Sequence, residues 1–173
     1  MTKLVIPEFK DSYYFLSNFF YHDQFFTTAD QPLKMPTAEH AFQASKYKAM
    51  DVSVDKKVAY VVKIAGARSP TEARKAGRSV KGLDIEAWED MKIDVMRALL
   101  INKFTDPVLE TRLLGTGDAM LVEGNDWNDV FWGRCNQRGY NILSVLLMEI
   151  RGYLRLCNGS WPVMERDIEL PPY

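Results

Sequence analysis

Between Asp84 and Phe104 the sequence carries its widest helical signal. Trp88, Met91, Val95, Leu99 and Asn102 trace one stripe, and Met96, Leu100 and Phe104 widen it. Asp84 stands where an N-cap belongs, so the spacing predicts the longest helix of the chain, Ile85 to Phe104. A face that broad is stable only when other elements cover it. The chain has 173 residues, enough for one domain with a real core and too few for two comfortable ones.

The covering elements are readable on both sides. Ser69-Pro70-Thr71-Glu72 is a capping box with proline at the first helical position, and it opens a short basic helix over residues 70–79. Thr37 is a plausible cap for a helix running to residue 49, and Val54, Val58, Val61 and Val62 mark another over 51–65 that Gly66 stops. Pro107 opens a further helix, ended at Gly115-Thr116-Gly117. Ile142, Leu143, Leu146, Leu147, Ile150 and Leu154 give a strongly apolar helix capped at or near Asn141.

Strand signals are weaker. Leu4-Val5-Ile6 and residues 119–122 read as short strands, residues 11–28 as a β-hairpin or two short strands about a turn, and 29–35 as a loop. No βαβ alternation is present. The expected architecture is therefore mostly α with a small β-sheet, in one domain over residues 1–156, followed by a C-terminal tail over 157–173 anchored at most by Trp161.

One segment obeys no period. EGNDWNDVFWGRCNQRGYN, from Glu123 to Asn141, gathers carboxylates, large aromatics and glycines between patterned elements. Such loops on rigid scaffolds commonly carry binding and catalytic groups. Net charge is −1, so any polyanion must be held by a local basic patch. The only histidines are His22 and His40, and Cys135 and Cys157 form no framework, so neither a zinc site nor disulfides are expected. With no signal pattern and no membrane-length apolar run, the expected setting is cytoplasmic. Phosphate-loop, dinucleotide-binding and nucleophile-elbow motifs are absent, and Val130 breaks a calcium-loop reading.

Several residues have two readings each. Glu39 is either a first-turn acid stabilised by the helix dipole, the commoner role, or a functional carboxylate sharing a face with Gln43 and Lys46. Asp129 is either an Asx-turn residue or, with Asn128 and Trp132 beside it, part of a site. Glu123 and Asp126 read as solvated or turn-forming acids. Trp88 lies on the core stripe yet could stack a ring, and Trp132 is free of any helical stripe. Arg74 and Arg78, four positions apart, can point together at a phosphate or merely belong to a solvated face. The short polar side chains of Ser17 and Asn18 suit backbone or ligand contacts.

TAEHAFQASKY, NDVFWG and GYNILSVLLMEIR, in that order with FLSNFF, ARKAGR, WEDMKIDVMRALLINKF and LVEGN among them, resemble the NADAR / YbiA-like family over most of the chain. The resemblance implies a mostly helical YbiA-like fold and an N-glycosidase that needs no metal or organic cofactor. It implies as substrate either a ribosylamino-pyrimidine phosphate of the riboflavin pathway or ADP-ribosylated guanine in nucleic acid. Glu39 and Asp129 would be the catalytic carboxylates, with Trp88 and Trp132 in the site. Asn18, Phe19, Gln43 and Asn128 would join them in binding substrate, and Lys46, Arg74 and Arg78 would hold its phosphate. The alternative is a non-catalytic module that binds ADP-ribose or a nucleotide in the same place.

Overall fold

The computed structural model describes residues 4–27 and 32–157. Its centre is the short helix α1, Ala38–Ala44, in which every residue is buried. Around it lie α2 (Val54–Ala65), α3 (Pro70–Arg78) and α4 (Ile85–Phe104), all in contact with α1. Helices α5 (Pro107–Gly115) and α6 (Ile142–Leu156) pack on α4 and on each other. The chain is mostly helical, as the periodicity predicts.

Local chemistry sets the helix starts. Ser69 accepts the Glu72 N–H at 3.2 Å, and Glu72 returns a carboxylate oxygen to the Arg68 N–H at 2.9 Å. Asp84 accepts from the Ala87 N–H at 3.0 Å, and Asp106 caps α5. Thr37 accepts the His40 N–H, and its hydroxyl also meets His40 Nδ1 at 2.8 Å. His40 Nε2 lies 3.1 Å from the Ala67 carbonyl, which can only accept, so Nε2 carries the hydrogen. This histidine ties α1 to the segment before α3.

Helix α4 buries Trp88, Val95, Met96, Leu99, Leu100, Lys103 and Phe104. Each large apolar side chain removed from water in this way contributes roughly 1.5–3 kcal/mol. Helix α6 is held at its middle by Arg151, which donates to Thr116 Oγ1 at 2.7 Å and to the Ala119 carbonyl at 2.9 Å.

Among the described residues the β-structure is three separate two-stranded pairs. β1 (Val5–Ile6) runs parallel to β4 (Met120–Leu121). β2 (Tyr21–Thr27) pairs antiparallel with β3 (Pro32–Thr37), with an irregularity between Tyr21 and Gln24. β5 (Gly124–Asn125) and β6 (Arg134–Cys135) pair parallel inside the loop that the sequence left without a period.

Four expectations need correction. The hairpin expected over residues 11–28 starts later, because Asp11–Leu16 forms a 3-10 helix that buries Phe15 and Leu16, and part of the expected loop is β3. The helix expected to reach residue 49 is α-helical only to Ala44 and tightens to 3-10 over Ser45–Ala49. Helix α2 begins at Val54 and buries Tyr60, Val61 and Ile64, while Val54, Val58 and Val62 face outward. Asn141 occupies the N-cap of α6, but its side chain does not cap it. That side chain instead accepts the Glu123 N–H and donates to the Leu121 carbonyl, each at 3.0 Å. The tail expected from residue 157 onward, Trp161 included, lies outside the described residues except for Cys157.

Candidate active site

The first turn of α1 places Glu39 in the interior, only 5% exposed. Its Oε1 accepts from Gln43 Nε2 at 2.9 Å, one helical turn on, and from Arg74 Nε of α3 at 3.3 Å. A buried carboxylate without such partners would be strongly unfavourable. The Glu39 N–H donates to the Asn18 carbonyl at 3.0 Å, which brings the segment after the 3-10 helix against α1. The Arg74 guanidinium also stands 4.4 Å from the centre of the Phe19 ring. Asn18 Nδ2 is within 3.3 Å of Met96 Sδ. Asn18 Oδ1 and Gln43 Oε1 are both buried acceptors without a hydrogen-bond partner among the described residues. Two such oxygens beside a carboxylate call for donors from a ligand or water.

Gly77 makes this arrangement possible. A Cβ there would fall 1.9 Å from Gln43 Oε1 and 2.6 Å from Cδ. Gly77→Ala is therefore expected to push the Gln43 amide off Glu39 without touching Glu39 itself. Steady-state kinetics should show activity falling about tenfold, while Tm drops by a few degrees. Unchanged kinetics would show that the Gln43 contact does not matter.

The second half of the site comes from the aperiodic loop. Asp129 Oδ1 accepts from the backbone N–H groups of Phe131 at 3.2 Å and Trp132 at 2.9 Å. Asn125 grips the same residue from outside, accepting the Asp129 N–H at 3.0 Å and donating to its carbonyl at 2.8 Å. Asp129 is thus the Asx-turn residue that its sequence context permits, and the turn aims Trp132 at α1. The Trp132 ring meets Phe42 edge-on at 5.3 Å, and Phe42 meets Trp88 at 5.1 Å. Trp88 is 6% exposed, a core residue with Lys46 Nζ 5.7 Å from its ring centre. Asn128 is exposed and takes a left-handed φ of 62°. Asp126 turns away: with Trp127, Lys10 and Arg134 it lines a separate cleft of about 630 Å³.

The expected phosphate grip is only partly assembled. Arg74 is committed to Glu39 and Phe19, while Arg78 is exposed one turn further along α3. Lys46 Nζ donates to the Gly77 carbonyl at 2.9 Å. Burial lowers the Lys46 pKa, against the pull of Glu39, and Arg78 lowers it further.

Two groups that the sequence reading passed over belong here. Glu123 is not a solvated acid: it is half-buried, and its Oε2 is buried without a partner among the described residues. Burial first, and then the Asp129 charge, raise its carboxyl to about 7, with Glu39 adding to the rise and Arg74 and Lys103 opposing it. Glu123 thus lies within electrostatic reach of both Glu39 and Asp129. Lys103 is fully buried, donates to the Ser17 carbonyl at 2.8 Å, and is lowered to about 7 by burial, with Glu123 raising it and Arg112 lowering it. A signal for Lys103 exists in the sequence. It follows Met96 and Leu100 at i+7 and i+3, a lysine on the apolar stripe. The only hint for Glu123 is its place directly after the apolar run Leu121-Val122.

Among the described residues, no three His, Cys, Asp or Glu side chains gather as a metal site, and no helix is long and apolar enough to cross a membrane.

Residues 7–155 match the NADAR domain family. The chain is 37% identical over 142 residues to N-glycosidase YbiA of Shigella flexneri, covering 78% of this chain and 83% of that protein. It is 38% identical over 123 residues to N-glycosidase YbiA of Escherichia coli (strain K12), 70% of this chain and 71% of that one. It also matches the riboflavin biosynthesis protein PYRR of Zea mays, 39% identical over 122 residues, of which it spans only 19%. The NMR structure of Escherichia coli YbiA superposes with a TM-score of 0.73 at 32% identity, over 96% of this chain and 94% of that one. The YbiA-like helical fold implied by the motifs is therefore the fold of this protein. With the match running through Glu39, Asp129 and the elements that carry them, the chain belongs to the NADAR domain family.

Proposed function

We propose that this protein is an N-glycosidase that hydrolyses the bond between a base and a ribosyl phosphate, with a ribosylamino-pyrimidine phosphate as the first substrate to test and ADP-ribosylated guanine as the second. The observation that carries this reading is the buried Glu39 carboxylate, held by Arg74 and Gln43 beside two acceptor oxygens that lack partners. The names of its relatives support it.

Breaking an N-glycosidic bond develops positive charge on the ribosyl ring. A fixed carboxylate in a water-poor place stabilises that charge strongly. Glu39 is placed for this. Asp129 orients the attacking water, by analogy with two-carboxylate glycosidases. Asn18 Oδ1 accepts from a hydroxyl of the sugar. Trp132 and Phe19 offer ring surface to the base, Asn128 borders it, and Trp88 supports Phe42 from beneath. Arg78 is left to meet the phosphate, with Arg74 holding Glu39 and Lys46 the Gly77 carbonyl beside it. A cytoplasmic setting and a single domain to residue 156 complete the reading.

The test is product analysis. The protein is incubated with a ribosylamino-pyrimidine phosphate and, separately, with guanine nucleotides carrying ADP-ribose, and the products are identified by mass spectrometry. Release of free base with ribose phosphate or ADP-ribose is expected. Tight binding by calorimetry with no base released would instead make the chain a binding module.

A further inference from the structure

Expelling an amine from C1′ requires a proton. Without one the leaving nitrogen departs as an anion, which is prohibitively basic. The carboxylates so far assigned do not supply it. Glu39 is surrounded by donors, a guanidinium and an amide N–H. Asp129 Oδ1 is likewise met by two backbone N–H groups. Both are placed to act as anions that accept.

Glu123 differs in every respect. Its Oε2 is buried and meets no donor among the described residues. Its backbone is clamped from two sides: the N–H is held by Asn141 Oδ1 at 3.0 Å, and the carbonyl accepts the Arg134 N–H at 2.9 Å. A Cβ on Gly133 would come within 3.1 Å of Glu123 Cγ, so the stem of the side chain has little room to turn. The charged groups that act on it come from three helices and its own loop: Glu39 on α1, Arg74 on α3, Lys103 on α4 and Asp129.

We propose that Glu123 is the proton donor to the departing base, a third carboxyl in the same site with a role that neither Glu39 nor Asp129 can fill. This rests on the N-glycosidase reading above. The Glu123 carboxyl gives its proton to the nitrogen linked to C1′. The C1′–N bond breaks, and its electron pair stays on that nitrogen. Water adds its oxygen to C1′ and yields one proton to Asp129, while Glu39 stays the anion facing the ribosyl cation. Proton exchange with solvent then restores Glu123 as the acid and Asp129 as the anion. The products are a neutral amine and the free sugar phosphate. Burial and the neighbouring anions hold the Glu123 proton to about pH 7, so the acid is present at neutral pH.

Two substrates test this. One is a ribosylamino-pyrimidine phosphate, whose amine needs the proton. The other is a 4-nitrophenyl riboside 5-phosphate, whose phenolate leaves without one. Glu123→Gln should lose about 100-fold or more in kcat on the first, with KM little changed, and less than about 3-fold on the second. Wild-type activity on the amine substrate should fall as pH rises through about 7. It should not do so on the nitrophenyl substrate. Equal losses on both substrates, or full activity of the variant on the amine, would overturn the proposal. If the variant fails to fold, or the nitrophenyl compound is not cleaved, the wild-type pH profile on the amine decides, and a profile flat from pH 6 to 9 overturns it. A wild-type protein that releases product from neither compound, nor base from ADP-ribosylated guanine, would refute the hydrolase reading, and the role of Glu123 with it.

Discussion

Glu39→Gln is expected to lower kcat for base release by roughly a thousandfold while the protein stays folded. The substitution keeps the shape of the side chain and removes its charge. The ribosyl cation then loses its counter-charge, and Arg74 loses the anion it pairs with at 3.3 Å. Arg74 is partly exposed and can turn toward water, so the stability cost is held to about 1 kcal/mol. Melting by circular dichroism alongside single-turnover kinetics separates the two effects. A folded Glu39→Gln protein with full turnover would refute the assignment. Asp129→Asn is a milder change, because an amide oxygen can still accept the Phe131 and Trp132 N–H groups, so the loop keeps its shape and any loss of activity reports on the charge.

Gly133→Ala is the change expected to damage the fold most. The backbone there needs no left-handed angle, so the reason is space alone. A Cβ would lie 2.3 Å from the Glu123 carbonyl oxygen and 2.7 Å from Asn125 Nδ2. Neither neighbour can yield cheaply. The carbonyl is held by the Arg134 N–H at 2.9 Å, and the Asn125 amide grips Asp129. A loss of about 3 kcal/mol is expected, which lowers Tm by roughly 6–12 °C in a chain of this size. Activity should fall too, because Glu123, Asp129 and Trp132 all hang on that junction. Gly115→Ala is the control: its Cβ would meet nothing within 4 Å, and it should leave Tm unchanged or slightly raised. If the two variants melt alike, the packing account of Gly133 fails.

The helices of this protein are legible because their causes are local. Ser69 with Glu72, Asp84 with the Ala87 N–H, and Asp106 with α5 are contacts within four residues. The stripe from Trp88 to Phe104 is a period, and a period needs no knowledge of what covers it. The strands were less legible. The dense aromatics after Asp11 suggest β-structure, yet Phe15 and Leu16 reach the core from a 3-10 turn. Burial by tertiary neighbours outweighed propensity there. The motifs carried the family and, through it, the residues Glu39 and Asp129.

The sequence by itself determined the mostly helical class, the helix starts, and the two carboxylates worth watching. The tertiary structure decided where those groups lie and what they touch. It buried Glu39 against Arg74, so one arm of the expected phosphate grip became the partner of a carboxylate. It set Asp129 as the turn that aims Trp132 at Phe42. It brought Glu123 and Lys103 from separate elements into one field, where burial moves both toward neutrality. The physical reason is range. Capping and periodicity act over one or two turns of chain, whereas desolvation and charge depend on whatever the fold gathers within a few ångströms, however far apart in sequence.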